Sequence, residues 1–190
     1  NSLNADPQYL SDTDLIASSP ALANAGFQLP EVPEDINGDS RKATPTIGAN
    51  EYDAAALVPL SGIYTIDPLG TGERNFSTFQ QSVDAMVLNG LGGAVTFQVA
   101  AGTYTEQIEI PDLSGGSASN TVTYESATVT AEDVVVTFAA STSEMNYVIG
   151  FDNASDIILR NLKLVATGTT YGRTVAAWNR ADNLTIEGCI

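Results

Sequence analysis

The hydrophobic pattern changes character along the chain. Residues 1–52 carry few apolar runs and many Pro, Asn and Asp, whereas beyond residue 61 short apolar runs alternate with polar turns. Between them lies "DAAALVPLSG", so three segments are expected: 1–53, a linker or crossover at 54–60, and 61–190. "GIYTID" then reads as a short alternating strand. Phe76, Phe79, Val83, Met86 and Val87 recur at helical spacing. Ser77 and Gln80 are spaced as a capping box, which puts the N-cap at Ser77, and Asn89-Gly90 supplies a left-handed stop. The Phe/Met stripe of this helix is read as the face that packs on a core, not as a binding groove.

From Gly93 onward the pattern predicts strand after strand. "AVTFQVA", "YTEQIEI", "TVTYESA" and "VVVTFAA" are separated by Gly, Ser, Asn and Asp. That spacing alone allows a β-sandwich or barrel. A repeat decides against both. "VIGFDNASDIILRNLKL" from Val148 lies without a gap over "VAAWNRADNLTIEGCI" from Val175, 27 positions on. Phe151 meets Trp178, Asp156 meets Asn183, Leu159 meets Ile186 and Leu162 meets Cys189. A period in the twenties made of short strands and polar turns is the mark of a β-solenoid. Coils stacked at about 4.8 Å would pair each strand with the next coil, placing like side chains above like. Leu159 and Ile186 are expected to point inward and stack, with Asp156 and Asn183 stacked at a turn.

Charge and composition narrow the chemistry. The 190 residues hold 7 Lys+Arg against 23 Asp+Glu, a formal charge of -16. Such a charge repels phosphate backbones, so no nucleic-acid partner is expected. No run of 18 apolar residues exists to span a membrane as a helix, and no membrane insertion is expected. Without a single His, neither a Ser-His-Asp triad nor a histidine-ligated zinc can be built. The lone Cys189 cannot form a disulfide within the chain and is read as a small buried hydrophobe. The opening "NSLNADPQYL" has no signal-peptide pattern and reads as mid-protein. Few Lys and many Thr, Ser, Asn and Gly suit a secreted protein of the cell surface.

The stretch "NFSTFQQSVDAMVLNGLGGAVTFQVAAGTYTEQIEIP" resembles the N-terminal end of right-handed parallel β-helix proteins of the pectin-lyase-like superfamily. In these an amphipathic helix caps the first coil and a G-x-Y-x-E-x-[IV]-x-[IV] segment follows, here Gly102, Tyr104, Glu106, Ile108 and Ile110. Pectin methylesterases begin similarly, and such β-helices recur in large surface proteins of Bacteroidota. Residues 5–52 resemble the closing segment of such β-helices, through Asp6, Pro7, Tyr9, Ser19, Pro20, Ala21, Gly26, Asp35, Asn37, Gly38, Arg41, Ile47, Gly48, Ala49, Glu51 and Tyr52. The resemblance implies an all-β fold, a right-handed parallel β-helix with one N-terminal capping α-helix. It speaks less to activity, because this fold hosts lyases, esterases, hydrolases and inert stalks.

Asp35, Asn37 and Asp39 are the candidate metal ligands, with calcium the candidate ion. An EF-hand needs Gly at its sixth position and Glu at its twelfth; counting from Asp35 these are Ser40 and Thr46, and the glycine comes early at Gly38. The rival reading is an Asx/Gly turn in which Arg41 pairs one carboxylate. No catalytic residues are assigned, and no other cofactor is expected. Arg160 with Glu187, and Asn153 with Arg180, hold equivalent places in their coils and are expected to face each other across them. The N-x-[ST] sequons at Asn75, Asn153 and Asn183 are what chance produces in so Asn-rich a chain.

The functional expectation is a non-enzymatic structural or adhesive repeat module of a large extracellular protein or fibre, with a polysaccharide as a further candidate partner. One alternative is a fragment of a carbohydrate-active enzyme whose active coils lie outside this chain; another is a calcium-dependent carbohydrate-binding module. Residues 1–52 would close a coil left open by 61–190. Neighbouring copies are therefore expected to associate head-to-tail, with folding back within one chain as the rival.

Overall fold

The structure, a computed structural model, describes residues 22–23, 25–49, 51 and 58–190. It divides into two compact units, Asn1–Leu57 and Val58–Ile190. The division falls within the expected linker, and the first strand starts at Leu60, that linker's last residue. The matches at Asp6, Pro7, Tyr9, Ser19, Pro20, Ala21 and Tyr52, and positions 54–57, lie outside the described residues.

The second unit is a parallel β-helix. Strands β1 (Leu60–Ile66) and β2 (Asn75–Phe76) precede helix α1 (Phe79–Asn89). Then come β3 (Leu91–Val99), β4 (Gly102–Thr105), β5 (Ile108–Pro111), β6 (Val122–Ser126), β7 (Val134–Phe138) and β8 (Ile149–Asp152). The last are β9 (Ile157–Arg160), β10 (Lys163–Ala166), β11 (Val175–Trp178) and β12 (Thr185–Glu187). The chain visits three sheets in rotation: β12-β9-β6-β3-β1-β2, β10-β7-β4 and β11-β8-β5, and all the strand pairs are parallel. "YTEQIEI", expected as one strand, is two; it turns at Glu106-Gln107 from the second sheet into the third.

Side-chain ladders fill the interior. Tyr64, Phe97, Tyr124, Leu159 and Ile186 are successive register partners, as are Val95, Val122 and Ile157. Leu159 and Ile186 therefore stack as expected. Leu159 is buried, while Ile186 is 49% exposed because no described strand lies beyond β12. At the other end of the stack α1 packs on β1, β2 and β5, burying Phe79, Val83 and Met86. Val87, expected on the packed face, is exposed; the interior face is already filled by the other three, about one turn apart.

The helix begins one residue later than its sequence suggests. Thr78, not Ser77, is the N-cap and accepts from the Gln81 N–H at 3.1 Å. The Gln81 side chain in turn accepts from the Ser77 N–H at 2.9 Å. The N–H groups of Phe79 and Gln80 donate to the Glu106 carboxylate at 3.2 and 3.1 Å. This explains the G-x-Y-x-E segment physically. Tyr104 points inward, its hydroxyl donating to the carbonyls of Ile66 and Ala100, and burial pushes its pKa up to about 12. Two residues on, Glu106 turns outward to hold the helix. Gly90 ends the helix at φ 73°, with its N–H on the Met86 carbonyl.

Beside β1 the short β2 does not reach Ser61 or Ile63. Arg74 does: its guanidinium lies 4.8 Å from the Tyr64 ring centroid and donates to both carbonyls, at 3.1 and 3.2 Å. A charged side chain placed this way blocks strand addition at the edge.

Candidate functional site

The 27-residue register holds at the turns and in the first sheet. Asn183 donates to Asp156 at 3.1 Å and Asn179 to Asp152 at 2.8 Å, each 27 positions apart. Asp156 and Asn183 are both left-handed, at φ 62° and 53°, a conformation short polar side chains tolerate. In the third sheet the register is one residue out. Val175 pairs with Ile149, and Trp178 pairs with Asp152 instead of Phe151. The extra residue is taken up at Asn179, where φ is 52°. A slip of one residue turns a strand's side chains over. The expected inward stack of Trp178 on Phe151 is thus corrected: Phe151 is in the core and Trp178 lies on the outer face.

That face holds the candidate site. Gly150 sits between the rings of Trp178 and Tyr147, and a Cβ there would be 2.6 Å from the indole and 2.7 Å from the phenol ring. Glycine is what lets both rings lie against the sheet. Their centroids are 5.3 Å apart at an interplanar angle of 42°. Tyr147 is buried and its hydroxyl donates to Glu109; burial first, and that carboxylate second, push its pKa well above the ordinary tyrosine value. Gln107 buttresses the loop by donating to the carbonyls of Met145 and Tyr147 at 2.8 and 3.0 Å. Beside Trp178 a cleft of about 520 Å³ is lined by Glu144, Asn146, Arg173 and β11. That volume is in the range of small-ligand sites. The aromatic platform was missed in the sequence, where "VAAW" over "VIGF" looks like one apolar ladder; the left-handed Asn179 before Arg180 was the available signal.

Arg160 meets Glu187 as expected, and also Glu125 at 3.1 Å, making a carboxylate–guanidinium–carboxylate ladder on the first sheet. Asn153 and Arg180 are both left-handed turn residues, at φ 57° and 66°, and the Asn153 N–H donates to the Trp178 carbonyl at 3.1 Å. Of the sequons, Asn75 uses both ends of its amide internally, on Thr65 and Asp67.

In the first unit, Asp35 is the centre of a turn. Its Oδ1 accepts from the N–H groups of Asn37 and Asp39 at 2.7 and 2.9 Å, and its Oδ2 from that of Glu51 at 2.7 Å. The Glu51 N–H above all holds the carboxyl below its ordinary value, against the opposing effect of burial. Arg41 pairs with Glu51 at 3.0 Å and donates to the Gly48 carbonyl at 3.0 Å. The structure thus brings Asn37 and Asp39 to Asp35 through their backbone N–H groups. Among the described residues no three or more His, Cys, Asp or Glu converge as metal ligands would. With the carboxylate already bonded on both oxygens, EDTA should leave the melting temperature unchanged. A drop of several degrees restored by calcium would show an ion contributing folding energy.

No family model and no curated protein matches this sequence. Solved structures do match the fold, among them two of the pectin methylesterase from Aspergillus niger. The penultimately deglycosylated form is 24% identical with a TM-score of 0.50, and the deglycosylated form 23% identical with a TM-score of 0.50. Each match covers 70% of this chain and 43% of the other, so the chain spans less than half the length of those proteins. With its parallel sheets, rotating strand order and capping helix, this chain has a right-handed parallel β-helix fold like that of those two structures.

Proposed function

We propose that this chain is a non-catalytic structural or adhesive module of an extracellular protein that presents the Trp178 cleft to glycans. The observation that carries this reading is the indole laid over Gly150, beside Asn146, Glu144 and Arg173. The C–H face of a sugar ring packs on an aromatic plane, while its hydroxyls need polar groups around the rim. Trp178 is the only tryptophan, so its emission reports on this site alone. Titration with oligosaccharides from neutral and acidic polysaccharides should give a saturable change in that emission, lost in Trp178→Ala. A flat titration across the whole panel removes the glycan face.

The fold likeness supports a second reading, a fragment of a pectin methylesterase-like enzyme. In that reading the active coils lie outside this chain, so methanol release from methyl-esterified pectin by a longer protein carrying them, with none from this chain alone, would favour it over the first.

Association of copies belongs to the first reading. The first unit exposes Phe27, Leu29, Val32 and Ile36, and the outermost coil of the second exposes Ile186 and Ile190. Apolar surfaces of this kind mark protein contacts, and contacts between two different faces propagate head-to-tail. Removing residues 1–52 should abolish ordered assembly in sedimentation. Unchanged assembly of the shortened chain would rule out this route.

A further inference from the structure

Resting on the glycan reading, we infer that the Trp178 cleft takes an uncharged glycan and excludes polyuronates. The charges around the indole are unbalanced. Glu144 and Arg173 line the cleft itself. Asp152 is the register partner of Trp178, and Glu109, one strand further down the sheet, accepts from the Tyr147 hydroxyl. Glu144 and Arg173 balance within the lining, and the Asp152 and Glu109 carboxylates on the neighbouring strands add negative charge around it, in a chain whose formal charge is -16. Neighbouring strands are about 4.8 Å apart, so Asp152 and Glu109, one and two strands from β11, lie within the ~10 Å over which salt at about 0.1 M leaves charges unscreened.

A polyuronate brings a carboxylate with every ring, and Arg173 can answer only one of them. An uncharged ring brings hydroxyls, which both donate and accept. Glu144 accepts from them and Arg173 donates. Asn146 already uses its Oδ1 on the Arg173 N–H at 3.4 Å, so its amide NH2 is the group it offers a ligand. The platform supplies contact area, and the rim favours a ligand without negative charge.

The test uses the full chain and two probes with one backbone: polygalacturonate and its highly methyl-esterified form, followed by Trp178 emission at low and high salt. The esterified chain should bind at least about tenfold more tightly at low salt, a difference of ~1.4 kcal/mol, and the gap should narrow as salt rises. Glu144→Gln should raise the affinity for polygalacturonate at low salt only. Equal or tighter binding of polygalacturonate by the unaltered chain overturns the charge inference and leaves the glycan face standing. If neither pectin nor any uncharged polysaccharide alters the emission, the glycan face itself falls.

Discussion

Replacing Phe97 by alanine should destabilise the β-helix by about 3–5 kcal/mol, the usual range for a large aromatic removed from a packed core. Phe97 is fully buried at the centre of an aromatic cluster. Its ring lies 4.8 Å from that of Tyr124, 5.8 Å from Tyr64 and 5.9 Å from Phe76. Tyr124 continues the stack to Phe79 of the helix at 5.4 Å, and Phe79 to Tyr104 at 5.3 Å. Strands are held by hydrogen bonds to the coils above and below, so their backbones cannot close in on the cavity left behind. Denaturant titration of the wild type and Phe97→Ala measures the loss, and Phe97→Leu should recover part of it. A loss below about 1 kcal/mol would show that the first coil collapses freely, contrary to the ladder packing described here.

Glu106→Ala should cost about 1–3 kcal/mol. That range spans the loss of a helix cap and of hydrogen bonds to a charged acceptor. The carboxylate is the acceptor for two N–H groups at the start of α1, where the helix dipole adds to its hold. Thr78 still caps Gln81 in the variant, so the helix should fray at its first turn without melting. The second consequence is larger than the energy suggests. Phe79 opens that turn and seals the aromatic cluster, so loosening it exposes apolar surface at the base of the coil. Glu106→Ala should therefore show a lower melting temperature and increased dye binding to exposed apolar surface, with Glu106→Gln between it and the wild type. A variant indistinguishable from the wild type would mean that solvent satisfies those N–H groups equally well.

The helix shows how far a local pattern reaches. Its stripe and its Gly90 stop are legible because helical spacing is set by residues a few positions apart. Its first residue is not. In "STFQQ" the spacing of Ser77 and Gln80 points to one cap, and Thr78 with the Gln81 N–H, one residue on, is a second. The second is realised because it puts Phe79, Val83 and Met86 on the coil and brings two N–H groups to Glu106, 26 and 27 residues away. Asp35 is a similar case. Spacing grouped it with Asn37 and Asp39 as candidate ligands or an Asx/Gly turn, but the role of its Oδ2 depends on Glu51, 16 residues on.

What the sequence determined by itself was the solenoid. Alternating apolar positions, polar turns and the repeat from Val148 to Val175 follow from a backbone that must stack on its neighbour, and any chain so patterned has few other ways to bury its Ile and Leu. Only the tertiary structure decided the coil-by-coil register. The corners differ in length: Glu125 and Arg160, neighbours across coils, are 35 residues apart, whereas Arg160 and Glu187 are 27 apart. Over "VAAW" either strand face looks apolar, so the sequence leaves open which side Trp178 takes. Hydrogen bonding to β8 chose, with the left-handed Asn179 absorbing the extra residue. That one-residue slip turned a presumed core tryptophan into the half-buried outer-face platform of the candidate site, because pairing between coils is non-local and one step along a strand reverses its faces.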